Sequence, residues 1–272
     1  MSTLFKDQSK KLEFTTQSLS FAEQGYSILP ALSEKELSSL RHIIRDKYIK
    51  NLKKFRVFDF ENDETKQPFN YHNLCIKNHS EIWGKQQRIF SKEEVKKFLN
   101  FSLFYHLKNK FGYLRVVDIE GIGYPEIYWR IVRPNKTEDV SGIHADSWFF
   151  THTNKMTNEE QKNLLKVWIP VEVLPNEGGL GVYPGSHLRT WEYDTIKKDG
   201  RIKPKLNYTP DQERLTLPLE PGEPVIFDKN LLHYGVSHKA DYTRVSIEFA
   251  IEVSEKHLTV DNYSFVNELE NV

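Results

Sequence analysis

A single cysteine, Cys75, in 272 residues leaves nothing for an intrachain disulfide or a cysteine-based zinc cluster. That points to a reducing compartment, and the expected location is the cytoplasm. Charge of either sign is not in excess, since Lys plus Arg and Asp plus Glu both number 38. The summed field therefore offers no general attraction for nucleic acid or an anionic membrane, and neither is expected as a partner unless a local basic patch provides it. No apolar run approaches membrane-spanning length. The stretch from Met1 to Lys11 mixes Lys6, Asp7, Lys10 and Lys11 with few apolar residues, so it lacks the apolar centre of a signal peptide. Linkers rich in Pro, Gly or Ser, internal repeats and low-complexity tracts are also missing. A chain of this length can bury a sizeable core undivided, so one domain is expected over residues 1–272. What is plentiful is aromatic residues, at 13%, which fits either a strand-rich core or an aromatic-lined pocket.

The texture changes along the chain. Ser33-Glu-Lys-Glu36 has the spacing of a capping box, and Leu37, Leu40, Ile43, Ile44 and Tyr48 then recur at helical intervals, predicting a helix over about 33–50. Ser91-Lys-Glu-Glu94 repeats the start signal, with Val95, Phe98, Leu99, Ser102, Leu103 and His106 on one face. This predicts a second long helix that ends towards Gly112. From Glu126 onward the runs are short and β-rich: Ile127 to Val132, Leu165 to Val173, Leu180 to Tyr183, Leu215 to Leu219, Val225 to Phe227 and Tyr242 to Val253. Pro175-Asn-Glu-Gly-Gly179, Pro184-Gly185 and Pro221-Gly-Glu-Pro224 punctuate them, and residues 149–163 and 186–212 read as long polar connections. Helices first and many short strands afterwards predict an α+β fold. Its core is a double-stranded β-helix, the cupin-like jelly roll, braced by N-terminal helices. The helical part is expected over about 15–115, the jelly-roll core over about 125–253 and a polar tail over 254–272.

His144-Ala-Asp146 sets a neutral nitrogen and a carboxylate oxygen two residues apart, so that on a strand both point to one face and can share a metal. The spacing is cheap in a chain with ten histidines, and by itself a surface histidine beside a solvated aspartate is the better explanation of it. His79-Ser-Glu81 is a decoy of the same kind, in a polar stretch between helices, and reads as surface. The first pair gains weight from two residues further along the chain. His233 ends a strand-like run, and Arg244 comes eleven residues later on the next strand. Two imidazoles and one carboxylate on one face suit Fe(II) in oxygenases and leave positions for a 2-oxo acid and dioxygen. The guanidinium of Arg244 offers a planar fork for the far carboxylate of such an acid, and Ser246 points the same way and can donate as well. An ordinary ion pair is the alternative for Arg244. It alternates with Val245, Ile247 and Phe249, and one strand by itself does not say which face is interior.

With these residues in view, the sequence resembles the phytanoyl-CoA dioxygenase family, which includes ectoine hydroxylase and many hydroxylases of small metabolites. The resemblance runs through Phe21-Ala-Glu-Gln-Gly-Tyr26, Leu29-Pro30, His144-Ala-Asp146, Val167-Trp-Ile-Pro170, Gly178-Gly-Leu-Gly-Val-Tyr-Pro-Gly-Ser-His187, Pro221-Gly222, His233 and Arg244. It implies that His144, Asp146 and His233 hold Fe(II), that Arg244 holds 2-oxoglutarate, and that O2 is the third reactant. It further implies that His187 belongs to a structural turn and not to the metal, and that Trp168 lies near the cosubstrate, a core aromatic being the alternative. Family members often carry a serine two residues after the distal histidine. Gly235 stands there, and Ser246 is expected to take over the contact. An aspartate at 146 speaks against halogenation, because related halogenases have a small residue at that place.

By that resemblance the 2-oxo acid loses carbon dioxide, becomes succinate and provides the oxidant for a substrate C–H bond, so that the protein's task is positioning. Hydroxylation of a small polar metabolite is the expected reaction, on an amino acid derivative, a sugar or a phosphonate. A substrate linked to coenzyme A or an acyl carrier stays open. Substrate contacts are expected from Arg130, Trp148, His152, Arg189 and Trp191, with the connections at 149–163 and 186–212 as specificity elements. Two other classes stand against this: a cupin-like metal enzyme without 2-oxoglutarate, and a catalytically silent small-molecule-binding protein. The sequence does not address oligomeric state.

Overall fold

The structure, a computed structural model, describes residues 20–254 except 58–62, 78, 154–155, 158–160, 176, 199–200 and 239. The segment Met1 to Lys11 and nearly all of the polar tail lie outside the described residues.

The helical half opens with α1 (Phe21–Gln24) and strand β1 (Tyr26–Ile28), then α2 (Glu34–Lys54). Ser33 caps α2 as expected, since the Glu36 amide donates to its Oγ at 3.3 Å and its own amide donates to Glu36 Oε2 at 3.0 Å. The short helices α3 (His79–Ile82) and α4 (Lys85–Arg88) follow. The single helix expected after Ser91 is two, α5 (Lys92–Phe98) and α6 (Ser102–Phe111). The break has a visible cause. Phe101 turns inward with its ring 5.0 Å from that of Phe98, and the amide that opens α6, on Ser102, is satisfied by Glu36 Oε1 at 2.5 Å. One carboxylate thus serves the start of two helices.

The strands continue with β2 (Leu114–Val116) and β3 (Ile127–Val132), and helix α7 (Asp146–Thr153) precedes β4 (Leu164–Glu172). Then come β5 (Gly179–Val182), β6 (Asp194–Lys198), β7 (Arg201–Lys205), β8 (Leu215–Thr216), β9 (Val225–Asp228), β10 (His233–Val236) and β11 (Arg244–Val253). The main sheet runs β1-β9-β4-β11-β2, with β3 also paired to β11, and every pairing is antiparallel. A smaller antiparallel sheet, β10-β5-β8, completes the mixed jelly-roll architecture. The run expected at Leu215 to Leu219 is a strand over its first two residues only; Leu217 still donates its amide to the Leu180 carbonyl at 3.0 Å, and Pro218 then brings no amide to the ladder. The connection at 186–212 is not all loop: β6 and β7 pair as a hairpin, with the turn dipeptide Asp199-Gly200 between them in the sequence. The connection at 149–163 begins helical, as the body of α7.

Strand alternation gives the main sheet two unlike faces. Val167, Ile169 and Val171 of β4 and Val245, Ile247, Phe249 and Ile251 of β11 point outward into the large apolar cluster with Leu40, Ile44 and Tyr48 of α2 and Leu107 of α6. Trp168, Val225 and Phe227 face the other way and join Leu180 and Val182 of the small sheet in a second cluster. The helices therefore brace one side of the main sheet, and the small sheet covers the other. Phe249 stacks against Phe104 and meets Phe98 edge-on, at 5.6 and 5.8 Å. Phe249→Ala is expected to cost about 3–5 kcal/mol, read as a lower urea midpoint at unchanged slope. A cost under about 1 kcal/mol would show that the brace is not tightly packed.

Candidate metal centre

Three elements bring the candidate ligands together. His144 and His233 face each other across an isolated two-way backbone pair, His144 N to His233 O at 3.0 Å and His233 N to His144 O at 2.9 Å. Asp146 does not share a strand with His144, as the spacing had suggested. It is the first residue of α7, so the chain turns from extended to helical between the two side chains. They reach one place nevertheless. One donor atom from each of His144, Asp146 and His233 lies within 4.8 Å of the other two.

The environment fits a metal. His144 Nδ1 is 2.7 Å from the carbonyl of Gly142, and His233 Nδ1 is 2.9 Å from that of Leu231. A carbonyl only accepts, so both Nδ1 atoms carry the proton and both Nε2 lone pairs are free to coordinate. Burial first, and the neighbouring His233 second, hold His144 neutral down to about pH 3. Asp146 Oδ2 is buried with no hydrogen-bond partner among the described residues and lies 3.7 Å from His233 Nε2. A buried carboxylate oxygen without a donor is costly unless a cation answers it. Two neutral imidazoles and one such carboxylate are the donor set of non-haem Fe(II). Aromatic rings line the pair, with Phe149 5.2 Å from His144 and Phe227 4.8 Å from His233.

Arg244, at the start of β11, is 4% exposed and belongs to the inward face. Its Nη1 donates to the carbonyls of Gly179 at 2.6 Å and Val236 at 2.8 Å, which fixes the plane of the guanidinium. Its Nε is buried without a hydrogen-bond partner among the described residues, a donor that a carboxylate would satisfy. Burial, then Arg130, lower its pKa to about 10, still charged at neutral pH. Ser246 follows on the same face at 1% exposure, and Trp168 sits on β4 at 5%. The missing serine at Gly235 has a steric reason: a Cβ there would stand 2.9 Å from Val140 Cβ.

Other expected contacts are scattered. Arg130, opposite Ser246 in the β3–β11 register, faces inward, and its Nε donates to Glu248. Trp148 is 7% exposed and stacks on Tyr193 at 4.2 Å, so it is a wall of the neighbouring aromatic cluster. Arg189 is exposed, 3.7 Å from Asp211. Trp191 is half-buried and donates to the carbonyl of Ser186 at 2.7 Å. His152 lies in α7, and its side chain is outside the described residues. His187 is bonded through Nε2 to the carbonyl of Ala22 at 3.0 Å, consistent with a structural turn. His79 is more than surface: it is half-buried, 3.1 Å from the Tyr71 hydroxyl and 3.7 Å from Asp139.

Sequence reasoning missed Lys166 and Glu248. Lys166 Nζ is 3.8 Å from Asp146 Oδ1, and Glu248 is pinned between Arg130 and Lys166 in charge. The signal was present, because both share a strand parity with residues that were singled out: Lys166 is two before Trp168, and Glu248 four after Arg244. Burial works against the charge on Glu248, but Arg130 and then Lys166 outweigh it and bring its pKa down to about 2. Lys166 is held above its ordinary range, with burial opposing and Asp146 prevailing.

Comparison with known proteins comes to the same place. Residues 21–246 match the family model described as phytanoyl-CoA dioxygenase. Among solved structures, EvdO2 from Micromonospora carbonacea var. aurantiaca, complexed with 2-oxoglutarate, is similar in fold at 17% identity and a TM-score of 0.56. That match covers 86% of this chain and 89% of that one. The non-heme monooxygenase ThoJ is similar at 12% identity and a TM-score of 0.54, covering 86% and 75%. No match is found among curated proteins. No helix among the described residues is long and apolar enough to cross a membrane.

The buried charges generate a pH prediction. Glu248 has a folded pKa below the unfolded carboxylate value of about 4.3, so its contribution is complete above that value and is lost as pH falls towards about 2. Glu248→Gln is expected to cost about 3–5 kcal/mol at neutral pH, because it strands Arg130. The difference from wild type should shrink through that acid window in urea titrations. A difference constant down to the lowest pH would refute the ion pair.

Proposed function

The chain belongs to the phytanoyl-CoA dioxygenase family of iron- and 2-oxoglutarate-dependent oxygenases, and from that premise we propose that it hydroxylates a C–H bond of a small polar metabolite. In this reading His144, Asp146 and His233 hold Fe(II), and Arg244 holds the distal carboxylate of 2-oxoglutarate. The observation that carries it is the convergence, within one buried site, of two imidazoles with their protons fixed on Nδ1 and a carboxylate oxygen without a donor. Iron(II) with 2-oxoglutarate, when bound, supplies the activation of dioxygen, one oxygen atom entering succinate as carbon dioxide leaves and the other entering the product.

The chain's own residues position and exclude. Gly142 and Leu231 aim the two imidazoles through their carbonyls. Gly179 and Val236 hold Arg244 so that its remaining donors face one way, which supports a bidentate grip. Ser246, on the same face, adds a hydroxyl where Gly235 has none, and Trp168 closes the side. Phe149 and Phe227 keep water from the imidazoles. Arg130, Trp148, His152, Arg189 and Trp191 remain the proposed substrate contacts, with Arg130 the one placed on the inward sheet face. The hairpin of β6 and β7, packed on α7, is the proposed specificity element, and one catalytic domain is proposed for the whole chain. An amino acid derivative, a sugar or a phosphonate is the proposed range of substrates.

A metal enzyme without 2-oxoglutarate would have no use for Arg244, and a silent binding protein would have no use for the triad. Anaerobically purified protein given Fe(II), 2-oxoglutarate and oxygen is expected to release succinate without added substrate. His144→Ala should lower that rate about 100-fold or more, and Arg244→Ala should raise the 2-oxoglutarate KM about tenfold or more. Iron binding without succinate in wild type would favour the first rival. Absence of both would favour the second.

A further inference from the structure

The inward face of the main sheet carries charge that the proposed reaction does not use. Arg130 on β3, Lys166 on β4 and Arg244 on β11 are three cations, and Asp146 and Glu248 are the two carboxylates among them. Iron(II) and the 2-oxoglutarate dianion cancel each other in formal charge, so the loaded site keeps a surplus of one positive charge. The adjoining edge group does not absorb it. Lys85 lies 2.6 Å from Glu120 and 2.8 Å from Glu126, and Arg88 acts on Glu248, so two further cations and two further carboxylates leave the sum unchanged. A surplus charge in a desolvated site is unfavourable until a counter-charge arrives.

The two cations beside the metal site are placed to receive one. Lys166 Nζ is 3.8 Å from Asp146 Oδ1, too far for a hydrogen bond, so it is drawn towards the carboxylate without being bound to it. Once a metal takes the charge of Asp146, that hold weakens. Arg130 commits its Nε to Glu248, yet 34% of its side chain stays open although it lies deep in the barrel. Glu248, by contrast, is 14% exposed and Lys166 5%, so Arg130 is the most open of the three charged side chains.

On the oxygenase reading, we propose that the substrate carries an anionic group, a carboxylate or a phosphate-type oxyanion, which docks on Arg130 with Lys166 at its side. Neutral sugars and cationic amines are thereby set apart from carboxylates, phosphates and phosphonates within the range of polar metabolites. The anion seats next to the metal ligands, so the oxidised C–H bond is close to it in the molecule. Glu248 holds Arg130 in place and keeps the pair from collapsing onto the cosubstrate.

The test uses simple anions and the loaded protein. Sodium acetate and inorganic phosphate are titrated, at constant ionic strength, into the anaerobic Fe(II)–2-oxoglutarate protein while its visible charge-transfer band is followed. A saturable change in the band, with the band retained, is expected for at least one of the two. The tighter binder tells a carboxylate from a phosphate substrate. Arg130→Gln should weaken that binding at least tenfold, as should Lys166→Met. Because Arg130→Gln leaves Glu248 buried without its partner, the double variant Arg130→Gln with Glu248→Gln removes the anchor and the acid together and should behave in the same way. No saturable response in wild type, equal binding in all variants, or loss of the band as anion displaces the cosubstrate would each overturn the proposal. If no band forms in wild type before any anion is added, the oxygenase reading itself fails, and this inference falls with it.

Discussion

Strand β11 must point its side chains alternately to two faces, and it lies inside the main sheet, with β4 on one side and β3 and β2 on the other. Its odd-numbered residues from Val245 to Ile251 fill the seam against the helices, while Arg244, Ser246 and Glu248 enter the barrel. Packing on one face therefore fixes chemistry on the other. The helices cannot slide along the strand without taking Phe249 out of its aromatic contacts, and a one-residue slip would turn every charged group into the apolar seam. The same rule acts on β3 and β4, so that Arg130 and Lys166 arrive inside the barrel because Ile131 and Val167 are held outside it.

Charges placed this way survive in the interior only as a balanced set. Glu248 stays ionised because Arg130 and Lys166 are near, and Lys166 because Asp146 and Glu248 are. The imidazoles solve a different problem, since burial, helped by His233, keeps His144 neutral and backbone carbonyls decide which nitrogen keeps the proton. The candidate metal ligands, Arg244 and the cations of β3 and β4 are in this sense one electrostatic arrangement. It is built from strand parity on one side and from the His144–His233 backbone pair on the other.

Close approach explains where the chain departs from the pattern it resembles. At Gly235 a side chain would run into Val140, and at Gly181 a Cβ would fall 2.2 Å from the Tyr234 ring, so the small sheet is thin where it crosses the barrel. A side chain at 235 would crowd Val140 and Ser141, just ahead of His144 in the chain. The hairpin of β6 and β7 grows from the aromatic cluster of Trp148, Trp191 and Tyr193, and so ties the outer loops to the helix that begins with Asp146.

The sequence by itself determined the helix starts, because a capping box is local: Ser33 with Glu36 and Ser91 with Glu94 act over three residues. It determined the strand runs of the jelly roll, through alternation and turn residues, and the identity of the candidate triad and of Arg244, through spacing and family resemblance. Only the tertiary structure decided the rest. The helix after Ser91 breaks because Glu36, far away in sequence, is there to take the Ser102 amide. Asp146 meets His144 across a strand-to-helix turn that spacing cannot reveal. The interior face of β11 became known only when the opposite face was seen to be covered. Lys166 and Glu248 acquired meaning only beside Asp146 and Arg130, because the energy of a buried charge depends on which opposite charge the fold brings within reach.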